Sequence, residues 1–238
     1  MNKEPKEAFP YIAPSSEIKK KYMHIFSLTS PLPSRWLKST FDKFFASSLL
    51  LIGIPILVIL KIAYVVEGIL IAENKGPLFF SYNAVSQGKV FPKFKIRLIK
   101  TKYIDKEAAK RGEWIAYAAE WNSSTRTYVG GFVKKFYLDE IPQLLNILRG
   151  EMSIVGPRPL AVIHYERDCK QGNVSRKLLK GGLLGLGHIM KGNPEFGNPV
   201  YEYEYIHQYL RSSNLSLFLL DCKIIIRGLL VVFKGKGL

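Results

Sequence analysis

The sequence is poor in the residues that build several familiar sites. It holds two cysteines, Cys169 and Cys222, among 238 residues. They lack the C-x-x-C spacing of a zinc or redox centre and form no dense disulfide framework, so a reducing, cytoplasm-facing setting is expected. The four histidines, at 24, 164, 188 and 207, have no ligand spacing. No G-x-x-x-x-G-K-[ST] loop occurs, and GGLLGLG at 181–187 misses the G-x-G-x-x-G register, which removes the two common glycine-rich nucleotide loops. Acidic residues are scarce as well: 19 Asp plus Glu against 35 Lys plus Arg leave a net charge of +16. Such an excess suits nucleic acid, an anionic membrane surface or phosphorylated substrates. The mixed-charge N-terminus is not followed by an apolar core with a small-residue cleavage site, so no secretory signal is expected. An apolar fraction of 47% excludes disorder, and the length allows one or two domains.

What the chain has in abundance is one apolar run. Residues 44–60, FFASSLLLIGIPILVIL, carry no charge, and after Lys61 the apolar character resumes to 72. As a straight helix, 44–72 would reach ~43 Å at ~1.5 Å per residue, longer than the ~30 Å hydrocarbon layer. Pro55 lacks the N–H that would bond to residue 51 and its ring crowds that turn, so a bend is expected there. Lys19, Lys20, Lys21, Arg35, Lys38 and Lys43 precede the run, and Lys75, Lys89, Lys93, Lys95, Arg97 and Lys100 follow it. Basic flanks mark cytoplasmic ends, so both ends prefer one side. A helix that enters, turns at Pro55 and returns fits this; a tilted, kinked span is the alternative that the residues leave open. The organisation expected is therefore a basic arm over 1–37, a membrane helix over 38–72 and a cytoplasmic-face domain over 73–238. Charge spread beside an apolar segment, with no groove-reading motif, argues against nucleic acid.

In the remainder, GPLFF at 76–80 and KVFPKFKIRLI at 89–99 read as short strands with a turn at 86–88, and 106–119 as a helix. The two apolar runs within 210–233 suit a membrane surface or packing on the first segment. The clearest helix is 138–150, where Ile141, Leu144, Leu145 and Leu148 keep an i, i+3, i+4, i+7 order. Asp139 can cap it, Pro142 is tolerated in its first turn and Gly150 ends it. The fold class is α+β, mostly helical. Capping and dipole compensation alone could explain Asp139-Glu140. Their company suggests more: Lys134 and Lys135 lie upstream, and EMSIVGPRPL at 151–160 sets Arg158 between Pro157 and Pro159. Helix N–H groups and a fixed guanidinium can hold phosphate oxygens. One carboxylate can attack phosphorus to give an acyl phosphate, while the other holds a divalent cation against a leaving diphosphate.

The order K-x-x-F-D (Lys38 to Asp42), an apolar segment with a central proline, GPLFF, K-x-R (Lys95, Arg97), L-D-E-x-P-Q-L-x-N-x-L-x-G-x-M-S-x-V-G-P-R-P and a closing N-x-S-x-x-x-x-D-x-K (Asn214 to Lys223) resembles the bacterial sugar transferases, monotopic polyprenyl-phosphate phosphoglycosyl transferases that start glycan assembly. The likeness covers roughly 38–235, and its 138–160 block is the most specific part. Larger members carry extra transmembrane helices and a soluble domain ahead of this unit, so the chain looks like the minimal form. The resemblance implies transfer of a phospho-sugar from a UDP-sugar to polyprenyl (undecaprenyl) phosphate, releasing UMP and needing Mg²⁺. By position, Asp139 would be the nucleophile and Glu140 its partner at Mg²⁺. Lys95, Arg97 and Arg158 would bind phosphate, with Lys134, Pro157 and Pro159 completing the site. The resemblance also implies a re-entrant membrane helix kinked at Pro55, amphipathic surface helices against membrane lipid, and a catalytic domain on the cytoplasmic face of the bacterial inner membrane. A homodimer is left open.

The departures are as specific. The usual Ser-Pro at the kink is Ile54-Pro55, K-F-R-S-M is Lys95-Ile96-Arg97-Leu98-Ile99, and D-P-R-[IV]-T is Ser123-Ser124-Thr125-Arg126-Thr127. R-P-G-[IL]-T-G becomes Lys180-Gly181-Gly182-Leu183-Leu184-Gly185, Lys134 replaces a common Arg, and only Glu202 or Glu204 can stand for an acidic residue ahead of Tyr205-Ile206. Two readings follow: a transferase with an unusual sugar, or a weak or inactive relative serving as a membrane-docked scaffold.

Overall fold

The computed structural model describes residues 12–114, 120, 122–190 and 197–233. Its elements, in chain order, begin with two short helices, α1 (Ser16–Lys21) and α2 (Met23–Phe26), and the long α3 (Trp36–Leu70). The hairpin β1 (Phe79–Ser86) and β2 (Lys89–Ile96) follows, then α4 (Lys106–Arg111) and α5 (Tyr128–Lys135). A 3-10 turn at Leu138–Glu140 leads into α6 (Gln143–Leu148), β3 (Met152–Val155), β4 (Leu160–Ala161) and α7 (Val162–Lys170). The chain continues through α8 (Ser175–Leu178), β5 (Gly181–Leu184), α9 (Val200–Arg211) and α10 (Asn214–Phe233). A three-stranded antiparallel sheet has the order β2-β1-β4, and β3 pairs in parallel with β5. The class is α+β and mostly helical, as expected.

Most boundaries have local causes. Gln87 and Gly88 both take positive φ (51° and 72°), the two-residue turn that matches hairpin twist, so Phe79 pairs with Ile96 and Ser86 with Lys89. The expected first strand began too early, since Gly76 and Pro77 lie outside it. The helix expected over 106–119 stops at Arg111, because Gly112 turns left-handed (φ 78°) and its N–H closes on Ala108 and Ala109; residues 115–119 lie outside the described residues. The expected 138–150 helix is shortened to Gln143–Leu148. Asp139 sits inside the preceding 3-10 turn, and Pro142 holds the cap position of α6 with no side-chain cap bond. The capping role expected for Asp139 is thus corrected.

The arm expected over 1–37 is corrected in part. Residues 16–26 are helical and folded onto α9: Tyr22 and Ile25 are buried, and the Tyr22 hydroxyl donates to Glu204 at 2.6 Å. Residues 1–11 lie outside the described residues.

The organising element is α3. Its 35 residues, ~52 Å at ~1.5 Å each, make it, among the described residues, the one helix long and apolar enough to cross a membrane. Its buried positions, Lys38, Asp42, Ala46, Gly53, Leu60, Tyr64 and Glu67, recur every three, four or seven residues and so form one stripe from end to end. The other side is bare: Phe44, Leu51, Ile52, Val58, Ile59, Ile62, Ile69 and Leu70 are all exposed. Ala46 joins one core cluster with Tyr22, Leu144, Ile154 and Tyr205, whereas Leu60 and Tyr64 join a second with Ile96, Trp114 and Val133.

Polar groups fasten both ends of that stripe. Near the start, Lys38 donates to Asp221 on α10 at 2.8 Å, and Asp42 accepts from the Ser153 hydroxyl (2.6 Å) and the Ile154 N–H (3.1 Å) of β3. Near the end, Glu67 accepts from Asn74 Nδ2 (2.7 Å) and from the Tyr128 and Val129 N–H groups (2.6 and 3.1 Å), taking up orphan donors at the start of α5. The Tyr64 hydroxyl donates to the Arg97 carbonyl. Pro55 is exposed and lies inside this single helix.

Asp42→Ala and Glu67→Ala should each lower thermal stability by about 1–3 kcal/mol, since buried donors lose a charged acceptor. Phe44→Ser on the bare face should change it by less than about 0.5 kcal/mol. Thermal unfolding of the detergent-extracted protein checks this, and unaltered stability in both carboxylate variants would contradict the anchoring.

Candidate active site

Strand alternation and one turn assemble the site. On β2, successive side chains alternate faces, so Lys93 and Lys95, with Arg97 just beyond the strand, share one face, and all three are buried. Opposite them, Tyr137 at φ 56° reverses the chain after α5 and delivers Asp139 and Glu140. Asp139 Oδ2 lies 3.0 Å from Lys95 Nζ, and Lys95 Nζ also donates to Glu120 Oε2 at 3.0 Å. Glu140 Oε1 lies 3.5 Å from Arg158 Nη2. A deeply buried carboxylate–ammonium–carboxylate cluster therefore stands beside one half-exposed ion pair. Beneath the turn runs α3: a Cβ added at Gly53 would stand 3.1 Å from Ile141 Cγ2, so the helix touches the residue that follows the acidic pair.

The electrostatics follow from burial. Desolvation pushes the Asp139 carboxyl up; Lys95 pulls it back, Glu140 and Glu120 add to the rise, and the result lies above the ordinary aspartate value. Burial alone would lower Lys95, but Glu120 and Asp139 hold its ammonium well above the usual range. Burial pushes Lys134 down to about 8 against the pull of Glu120. Burial, reinforced by the Arg158 charge, pushes Lys93 down to about 7.

The backbone of the Pro157–Arg158–Pro159 corner is clamped from two sides. Arg176 Nε donates to the Arg158 carbonyl at 2.9 Å, and the same guanidinium pairs with Asp168 (2.9 Å) and Glu202 (2.5 Å). Gly182 N–H donates to the Pro157 carbonyl at 2.9 Å. Glycine is required there: a Cβ at Gly182 would fall 2.1 Å from Gly156 N, and one at Gly181 would fall 2.8 Å from the Pro159 ring. The Gly-Gly at 181–182 is thus seated under the corner that presents Arg158.

The structure brings together Asp139, Glu140, Lys95, Lys134 and Arg158, with Pro157 and Pro159 as framework. Arg97 is a correction. Its guanidinium is buried and donates to the carbonyls of Pro77 (2.8 Å), Ile99 (2.8 Å) and Asn74 (3.0 Å) over the Tyr64 ring, so it ties the end of β2 to the segment after α3 and does not serve phosphate. Of the two downstream acids, Glu202 belongs to the Arg176 cluster, while Glu204 is engaged by Tyr22. Thr127 caps α5, its hydroxyl accepting from Gly130 N–H at 2.8 Å. Residues 115–119, 121 and 191–196 lie outside the described residues.

Sequence reasoning missed Glu120 and Lys93 as site residues. No motif marks Glu120. The signal for Lys93 was its two-residue spacing from Lys95 on one strand face. His24 and His207 come within 3.1 Å of each other. No group of three or more potential metal ligands forms among the described residues. Mg²⁺ asks for less, since it is usually held by one or two carboxylates with waters and substrate phosphates. The Glu140 carboxylate, half-exposed beside the phosphate-binding type of side chain that Arg158 provides, fits that mode.

Residues 33–235 match the family model described as bacterial sugar transferase. The chain is 31% identical over 205 residues to the undecaprenyl-phosphate galactose phosphotransferase of Salmonella typhimurium, covering 82% of this chain and 41% of that protein. It is 31% identical over 208 residues to the UDP-glucose:undecaprenyl-phosphate glucose-1-phosphate transferase of Escherichia coli (85% and 40%), and 35% identical over 196 residues to the protein of that name in Klebsiella pneumoniae (79% and 38%). The chain thus spans about two fifths of the length of these curated relatives.

Lys95→Met should destabilise the protein by about 3–5 kcal/mol near neutral pH, because it leaves Asp139 and Glu120 buried without their counter-charge. The Asp139 carboxyl then titrates higher still in the folded state. Folding takes up protons between the unfolded and folded values, so stability falls as pH rises through that window. Thermal unfolding against pH should show the variant regaining stability on acidification relative to the parent; a pH-independent gap would contradict the assignment.

Proposed function

Because this chain belongs to the bacterial sugar transferase family, we propose that it transfers a sugar phosphate from a UDP-sugar to a polyprenyl phosphate such as undecaprenyl phosphate, starting glycan assembly. The observation that carries the proposal is the pairing of a buried Asp139 with Lys95 at 3.0 Å beside Glu140 and Arg158. A buried ion pair is costly to maintain and weak as a stabilising device, so a scaffold would have little use for this arrangement.

In the proposed reaction the donor diphosphate lies between Arg158 and the acidic turn. Asp139 attacks the sugar-bearing phosphorus, the bond from that phosphorus to the oxygen of the uridine-bearing phosphate breaks, and UMP leaves. The resulting acyl phosphate on Asp139 is attacked by a phosphate oxygen of the lipid acceptor; the carboxylate departs, and the sugar is left on a lipid diphosphate. Lys95 offsets part of the cost of burying the Asp139 carboxylate and fixes its direction. Arg158, on its clamped corner, holds phosphate oxygens in position. Mg²⁺ at Glu140 would supply neutralisation of the diphosphate charge.

The same proposal places α3 in the cytoplasmic leaflet of the inner membrane, bent at Pro55, its bare apolar side in lipid and its buried stripe on the domain. Anchors at both ends to one domain, with basic flanks on both sides, support this path over a span.

With Mg²⁺ and undecaprenyl phosphate, the extracted protein should release UMP from at least one UDP-sugar of a broad panel, and Asp139→Asn should lower the rate by about 10³-fold or more, as expected for loss of a nucleophile. No UMP under conditions where a relative is active would overturn the proposal. Labelling Lys21→Cys and Lys75→Cys variants in intact cells should report one side for both; opposite sides would exclude the re-entrant path.

A further inference from the structure

One charged group at the site has no counterpart in the reaction just described. Lys93 is 2% exposed, and among the described residues its ammonium makes no hydrogen bond and no ion pair. Its recorded contact is with the Tyr82 ring across the hairpin, whose centroid lies 6.0 Å away. The other two cations on its strand face are satisfied, Lys95 by Asp139 and Glu120, Arg97 by three carbonyls. On the same face of β2 Lys93 stands two residues from Lys95, which pairs with Asp139 at 3.0 Å, and the adjoining Glu140 lies 3.5 Å from Arg158; Arg158 is the strongest like charge acting on Lys93. An amine buried without a partner is costly whether it stays charged or gives up its proton, and an anion bound beside it restores the ammonium. Here the missing partner is an anion, and the neighbouring Arg158 indicates where it binds.

We propose that Lys93 is an oxyanion-binding residue of the donor site, its ammonium and the Arg158 guanidinium together taking oxygens of the nucleotide-sugar. This rests on the transferase reading for the donor's identity. The oxyanion has two sources, the donor diphosphate or a carboxylate on the sugar itself. The first would make Lys93 a second phosphate cation; the second would make it a selector for uronic-acid donors.

Lys93→Met removes the charge and keeps a long, flexible stem suited to a buried position. Thermal unfolding of the full-length protein without ligand should show the variant at least as stable as the parent, since an unpaired buried charge is gone. Calorimetric titration at fixed salt should show the opposite for ligands: affinity for inorganic pyrophosphate and UDP weakened about tenfold to a hundredfold, the range of a hydrogen bond to a charged group. Loss confined to UDP-glucuronate, with pyrophosphate and UDP-glucose unchanged, assigns the carboxylate source instead. Lys93→Arg should retain most of the affinity in either case, and serves as the test if the methionine variant does not fold. Parent protein that binds pyrophosphate through Lys93 yet turns over no UDP-sugar leaves this inference standing and removes the transferase reading. Unchanged affinity for all four ligands in the variant, or a parent that binds none of them, overturns it.

Discussion

The structure depends on the end-to-end stripe by which α3 is fastened to the domain. An apolar helix of 35 residues has no intrinsic reason to lie along a protein surface; lipid would accept it on every side. What holds it is a stripe of small and polar residues among the apolar ones. Ala46 and Gly53 allow close approach, while Asp42 and Glu67 satisfy backbone donors on β3 and α5 that would otherwise be buried without partners. The helix therefore joins both core clusters and leaves a continuous bare face. Its middle, at Gly53, lies against Ile141, so the element suited to lipid also supports the acidic turn.

The site itself runs on uneven burial of like and unlike charge. Asp139 is deep, and its rise in proton affinity is limited by Lys95; Glu140 is shallower and faces Arg158. Two adjacent carboxylates thus have different environments, one suited to forming a covalent bond to phosphorus and one to holding a cation. The positions of both are set by backbone: a left-handed Tyr137 before the turn and Pro142 after it. Arg158 is set independently, through Arg176 and Gly182, which explains why the drifted Lys180–Gly185 segment still supports the corner it packs under.

Much of this was legible in the sequence where the signal is local. The apolar run, the hairpin turn, the acidic pair and the Pro-Arg-Pro corner all lie in short contiguous stretches whose residue types constrain their own geometry. The parts that were not legible arise from distant pairings. Arg97 has the same spacing from Lys95 as Lys93 has, and nothing local distinguishes a guanidinium that meets three carbonyls from one that meets phosphate. Glu120 reaches Lys95 across 25 positions with no motif to announce it. The buried role of Lys38, Asp42 and Glu67 was present as helical spacing, but a reading that treats basic residues as the borders of a membrane segment takes Lys38 for a flank. The helix at 138–150 was misjudged because Pro142, tolerated in a first turn, here defines where that turn begins.

The central claim is that Asp139 carries the sugar phosphate between donor and acceptor. Incubating the purified protein with Mg²⁺ and a UDP-sugar it consumes, in the absence of lipid acceptor, followed by acid quench and peptide mass spectrometry, tests it most directly. The account predicts a sugar-phosphate adduct on the peptide containing Asp139, discharged when polyprenyl phosphate is added. An adduct on another residue, or turnover with no adduct at any time point, would contradict it.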